Sequence, residues 1–358
     1  MNQPRPVMPH VSIRWPALRG GLLALLAAAL FGISTPLVQL IGTGVGTFWT
    51  ASLLYAGAAI IGVCSRQQVD KEARVKRGDL SRLLWMAAFG AVLGPVALVW
   101  GLQHTSGTGA SLMLTLEALF TALLARLLYG ETMDRRVWVA MLLLLAGGMA
   151  LVLDQGRQGS SQLWGLLAVF VATMAWGADN TLSRALAERD PGQVVLGKAV
   201  LGALATAILA ALSGDPLPSW GSALGLMVIG ATGYGLSLRF YLLAQRAFGA
   251  ARTGSVFAFA PFIGAALAIV LGDRSGTWVM AIGGLLMVLG VILHLAESHN
   301  HEHTHERLEH EHAHRHDDGH HNHTHDPMPI GAHSHPHVHE PMVHAHPHVP
   351  DAHHRHTH

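Results

Sequence analysis

The chain has one cysteine in 358 residues, so no internal disulfide can hold it together. It is also poor in charge. Only 13% of its residues are Asp, Glu, Lys or Arg, about half the share of a soluble globular chain. Aromatics make up 6%, and only four residues are tyrosine. No G-x-x-x-x-G-K-[ST] loop and no dinucleotide fingerprint occurs, and nothing resembles a hydrolase triad. These absences exclude a disulfide scaffold, and they argue against an ATP-driven pump or an enzyme. Cys64 lies in an apolar run, and its expected state is that of a small buried side chain.

What fills the chain instead is apolar: 51% hydrophobic residues, 40 glycines and a mean hydropathy of +0.36. The apolar residues come in runs of about 20, the length a helix needs to cross a bilayer. Ten spans are expected, near residues 18–40, 46–64, 83–102, 106–129, 136–154, 162–184, 192–213, 222–245, 250–271 and 276–296. Only helices satisfy their own backbone in lipid, so the fold class is an all-α polytopic membrane protein. Gly283-Gly284 and Gly202-Ala203 are small enough for close helix contact. Arg5, Arg14 and Arg19 before the first run mimic a signal peptide, but the run is long and leads into further spans. It reads as an uncleaved first helix.

Basic residues fix the orientation. Arg66, Lys71, Arg74, Lys76, Arg77 and Arg82 join spans two and three. Arg135 and Arg136, Arg184 and Arg189, and Arg246 and Arg252 mark the later even-numbered connections. The odd-numbered ones hold only Arg157 and Arg274. The even connections are therefore expected in the cytoplasm, with both termini, and the protein in the inner (plasma) membrane.

The spans repeat. Gly21-Leu-Leu-Ala with Phe31-Gly32-Ile-Ser34-Thr35 echoes Gly165-Leu-Leu-Ala with Trp176-Gly177-Ala-Asp179-Asn180. Leu127-Leu-Tyr-Gly130-Glu131 echoes Ile269-Val-Leu-Gly272-Asp273, at an offset of about 142–145 positions. Five spans per copy is odd, so the second copy enters upside down, as in secondary transporters with a site between the halves. The expected organisation is a short N-terminus (1–17), repeats at 18–154 and 161–296 about a linker (155–160), and a tail (297–358).

The stretch from Gly101 to Glu131, with Glu117 followed by Ala118 and an apolar-Gly130-Glu131 end, resembles the drug/metabolite transporter superfamily, in particular its ten-helix EamA-type members. The likeness covers residues 18–296. It implies a transporter of small metabolites or drug-like solutes, without naming one. The family often has Pro after the Glu; here that position is Ala118, with Pro261 near the equivalent place in the second half. A helix break at Glu117 is thus put in question.

Ionisable groups inside spans are costly and mark pathways or buried pairs. Glu117, Asp179, Lys198 and Arg239 are such groups, and two acids would cancel two bases in a shared cavity. Glu117, at mid-span, can carry a proton or make a cross-helix hydrogen bond. Asp179 and Lys198 lie at similar depth on neighbouring spans and read as an ion pair. Arg239 can line the cavity or snorkel to the interface. Asn180, Ser34 and Thr35 occupy matching places in the two halves, and Trp100, Trp176 and Tyr234 are candidate walls. His104 reads as a solvated loop residue and Glu131 as structural.

The tail is a different material. All but three of the 26 histidines lie from His299 onward. They alternate with other residues: His301, His303, His305; His312, His314, His316; His321, His323, His325; His335, His337, His339; His344, His346, His348. Neutral imidazole binds Zn, Ni and Co well, and His-x-His in an extended chain puts both rings on one side. Glu302, Glu306, Glu309, Asp317 and Asp318 add oxygen ligands. With few large apolar residues the tail is expected to be disordered alone.

The reading is a proton-coupled exporter of a small solute by alternating access. One alternative is a Ni, Co or Zn transporter fed or regulated by its tail; another is a membrane-anchored metal buffer or sensor. The spans offer a transition metal no internal His cluster. No cofactor is required. The partners are the lipid bilayer and a small-molecule or ion substrate, with no nucleic acid; a homodimer is compatible.

Overall fold

The computed structural model describes residues 15–66, 73–129, 133, 135–187, 189–248 and 250–295, with four short segments of the tail. Nine helices among the described residues are long and apolar enough to cross a membrane. They are Arg19–Ile41, Thr47–Cys64, Arg77–Leu102, Gly107–Leu128, Arg135–Gln158, Ser160–Leu186, Pro191–Ser213, Trp220–Arg246 and Thr253–Val270. A shorter apolar helix, Trp278–His294, stands in the tenth position. The third span starts earlier than expected because a 3-10 turn, Arg77–Asp79, leads into it.

Contacts between connections sort the two ends of the bundle. At one end Arg189 Nε donates to Asp79 Oδ2 at 2.8 Å, and Asp190 N–H donates to the Ala73 carbonyl at 2.7 Å. Arg246 Nε reaches the Ala187 carbonyl at 2.6 Å. Three of the four basic, even-numbered connections therefore meet. At the other end Gln103 Nε2 donates to the Val45 carbonyl, Trp49 Nε1 to the Asp215 carbonyl, and Thr105 Oγ1 to Gln155 Oε1. Thr108 N–H there donates to Asp273 Oδ2 at 2.8 Å. Burial raises the pKa of the Asp273 carboxyl, but donation from Ser275 and Thr108 outweighs it and holds the group below its ordinary value. Each helix thus crosses from one end to the other.

Small residues set the helix spacing. A Cβ on Gly147 would sit 2.6 Å from the Gly283 carbonyl oxygen, so the fifth and tenth helices meet backbone to backbone. Gly202 packs on Ala91, and Gly62 on the Leu196 backbone. Gly214 (φ 73°) and Gly272 (φ 107°) end spans in conformations that side chains with a Cβ rarely adopt. Large apolar side chains cover the outside, with Trp85, Trp138, Trp164, Trp220 and Trp278 exposed toward helix ends as in an interfacial aromatic belt. Cys64 is exposed rather than buried, because it ends its helix on the outer surface.

Two irregularities recur between the halves, at offsets of 142 (Ala88 to Gly230) and 144 (Leu116 to Ala260) residues. π-helical turns lie at Ala88–Leu93 in the third span and Gly230–Leu236 in the eighth. The fourth span breaks between helices Gly107–Met113 and Leu116–Tyr129, and the ninth between Ala250–Phe257 and Ala260–Val270. The first break forms without proline. Thr115, Glu117 and Ala118 N–H groups donate three residues back, to Leu112, Leu114 and Thr115, tightening the turn.

Four short segments of the tail are described, each as a strand. His299–His305 pairs antiparallel with Met342–His348, and Leu308–His314 with His333–His339. An alternating pattern is a strand pattern, and a ladder needs only backbone partners. His301 stands opposite His346, His303 opposite His344, His312 opposite His335 and His314 opposite His333. His316, His321, His323, His325 and Glu131 lie outside the described residues.

Candidate functional site

The break in the fourth span delivers Glu117 to the interior. It lies in the first turn of the helix Leu116–Tyr129, where a carboxylate is favoured by the helix dipole. Its side chain is 8% exposed, and Oε1 accepts from Asn180 Nδ2 at 2.5 Å. Asn180 comes from the sixth span. One residue earlier on that span, Asp179 Oδ2 accepts from Lys198 Nζ of the seventh. Asp179 and Lys198 are each 4% exposed, and Asp179 Oδ1 is buried with no hydrogen-bond partner among the described residues. The ion pair read from the sequence is present.

The third span supplies the floor. In its π-helical turn the Gly90 carbonyl accepts from Tyr55 Oη and from Trp176 Nε1, the latter at 3.0 Å. A π turn widens the backbone ladder and is common at functional sites. A Cβ on Gly90 would run into the Asp179 carboxylate and the Lys198 ammonium. Gly90→Ala is therefore expected to push the ion pair apart, lower stability by about 1–3 kcal/mol and reduce flux. Thermal melting beside a flux assay checks it; unchanged values in both would remove Gly90 from the site.

These groups face a cavity of about 60 Å³. Glu117, Trp176, Asp179, Asn180, Lys198 and Tyr234 line it, as expected from sequence. Phe31, Tyr55, Tyr241, Phe257, Ser237 and Leu238 also line it and were not foreseen. The signal for two of them was available: tyrosine is scarce, and three of the four tyrosines line the cavity. Their rings interlock. Phe31 meets Trp176 edge-on at 5.4 Å, Tyr55 meets Tyr234 at 5.5 Å, and Tyr241 meets Phe257 at 5.1 Å.

Four expected residues are elsewhere. Arg239 NH1 donates to the Ser65 carbonyl at 2.7 Å, at the basic end. It caps a helix terminus, the snorkelling alternative. Trp100 is 38% exposed and stacks on a half-buried His104 at 4.1 Å, on the outer surface. Ser34 Oγ donates to the Phe31 carbonyl at 2.6 Å and packs against Gly233, while Thr35 is buried beside it. Neither is a lining residue.

A bundle of apolar helices of membrane-crossing length, with buried ionisable groups around an internal cavity, defines a membrane transport protein. The chain belongs to the EamA-like transporter family, which it matches twice, over residues 18–153 and 163–296. It is similar to an uncharacterized transporter of Methanothermobacter thermautotrophicus, 28% identical over 232 residues, covering 63% of this chain and 67% of that one. A protein of known crystal structure, 19% identical, overlays with a TM-score of 0.55 over 79% of this chain and 96% of its own. That likeness speaks for the fold.

Proposed function

We propose that the protein is a secondary transporter that exports a small metabolite or drug-like solute by alternating access, driven by protons that load on Glu117. The observation that carries this reading is the joining of Glu117, Asn180, Asp179 and Lys198 around one cavity lined by spans of both halves. A mid-span carboxyl beside a cavity can be neutralised by a proton on one side and released on the other. The two halves are inverted copies. The family match to each half, the π turns and the two helix breaks support this. The basic end is the cytoplasmic one, which places both termini inside the cell.

The test is efflux of labelled small solutes from proteoliposomes under an imposed pH gradient. At least one solute is expected to move faster than in protein-free vesicles, and to stop when the gradient is collapsed. Flux that is indifferent to the gradient contradicts proton coupling.

The tail supports a second, separate role as a cytoplasmic collector of Zn, Ni or Co. The strand register that sets histidine opposite histidine favours it. The full chain is expected to bind several cobalt ions per molecule near neutral pH and to lose them below about pH 6 as imidazole protonates. A chain truncated after Ser298 should bind none. Equal binding by both forms sinks the idea. Metal uptake lost on truncation would instead make the metal the cargo.

A further inference from the structure

The sequence alone sets two acids against two bases for this site. The structure changes that balance. Arg239 is occupied at the Ser65 carbonyl, outside the cavity. The carboxylates and ammonium that line the cavity are Glu117, Asp179 and Lys198. Lys198 is committed to Asp179. Glu117 has only a neutral amide, Asn180, as its hydrogen-bond donor among the described residues. Fully ionised, the cavity carries one uncompensated negative charge, which a buried site cannot keep at low cost. It takes either a proton or one positive charge from a ligand.

The walls decide what kind of cation. Phe31, Tyr55, Trp176, Tyr234, Tyr241 and Phe257 surround the carboxylates. Aromatic faces attract cations and are strongest for weakly hydrated organic ones. A transition-metal ion such as Zn, Ni or Co is best held by His or Cys ligands. The lining contains neither His nor Cys. Asp179 Oδ1, buried at the same wall without a donor, offers a second acceptor for an N–H group.

We infer that the cavity takes a singly charged organic cation with apolar substituents, and that this cation and a proton compete for Glu117. This deepens, and rests on, the reading of the chain as a proton-coupled transporter. The titratable and amide groups that line the cavity with Glu117 are Asp179 and Asn180 of the sixth span, Lys198 of the seventh, Tyr55 of the second, and Tyr234 and Tyr241 of the eighth. The fifth span carries its ionisable residues, Arg135, Arg136, Asp154 and Arg157, only near its ends. One cation for one proton leaves the cavity neutral in both loaded forms, so the exchange moves no net charge. At about 60 Å³ the cavity has room for only a few waters, so the rings must part to admit such a ligand.

The probe is benzyltrimethylammonium, which cannot shed its charge. Binding to the purified full chain is followed by tryptophan fluorescence and by calorimetry in two buffers of different ionisation enthalpy. Saturable binding is expected, with release of up to one proton and an affinity falling about tenfold per pH unit on the acid side. Its neutral isostere neopentylbenzene and the anion benzoate should not compete. Tyr234→Leu should weaken binding about 5- to 30-fold. Glu117→Gln should weaken it more than about 100-fold and abolish proton release, with Glu117→Asp restoring the release. Equal competition by the neutral isostere, binding without proton release, or Glu117→Gln binding as tightly as the native chain overturns the inference. If the cation fails to bind while a neutral or anionic solute shows pH-driven flux, this inference falls and the transport reading stands. If the cation binds as described but no solute is moved by a pH gradient, the cavity assignment stands and the transport reading falls.

Discussion

Lys198→Met is expected to destabilise the protein by about 3–5 kcal/mol, the cost of leaving one member of a buried ion pair alone. Asp179 and Lys198 are each 4% exposed, so water cannot stand in for the missing ammonium. Among the described residues the remaining Asp179 oxygen already lacks a donor, so the variant's carboxylate keeps neither of its oxygens satisfied there. Asp179→Asn combined with Lys198→Met removes both charges and should recover most of the loss. Denaturant or thermal unfolding in detergent, run as a double-mutant cycle, measures the coupling. A double variant no more stable than Lys198→Met alone would mean that the pair does not hold the sixth span to the seventh.

Glu117→Gln should reduce pH-driven flux to the level of protein-free vesicles. A glutamine keeps the Oε1 acceptor for Asn180, so the contact between the fourth and sixth spans survives and stability should change by no more than about 1 kcal/mol. What is lost is the group proposed to exchange a proton. The loss of flux without loss of fold separates a transport role from a structural one. Undiminished pH-driven flux in this variant contradicts the proton assignment.

The bundle was legible because lipid leaves little freedom. An unsatisfied backbone group is so costly there that apolar runs of about 20 residues become helices. The observed helices accordingly fall close to the expected spans. Asp179 and Lys198 were legible as a pair for the same reason: each lies a similar distance from the connection that joins their antiparallel helices, and each needs a partner. The break before Glu117 was not, because it forms in Leu114-Thr115 with neither glycine nor proline to announce it. The π turns carry no composition signal either, although the glycines of Gly230-Ala-Thr-Gly233-Tyr-Gly235 allow close contact with the first and second spans. Trp100 and Trp176 look alike in sequence, yet one stacks on His104 outside and the other is 5% exposed in the wall. Helix rotation separates them, and in spans apolar on every side no polar face reports it. Arg239 was ambiguous because its long side chain reaches well away from its backbone position.

Alternating access is directly measurable, because the chain has a single native cysteine. Cys64 lies exposed outside the cavity and can be replaced by serine, after which Leu238→Cys puts one thiol in the cavity wall. Membrane-impermeant maleimide is then applied from either face of oriented vesicles. The thiol is expected to be modified from both faces, with the balance shifted by an imposed pH gradient. Modification from one face only, whatever the gradient, would contradict it.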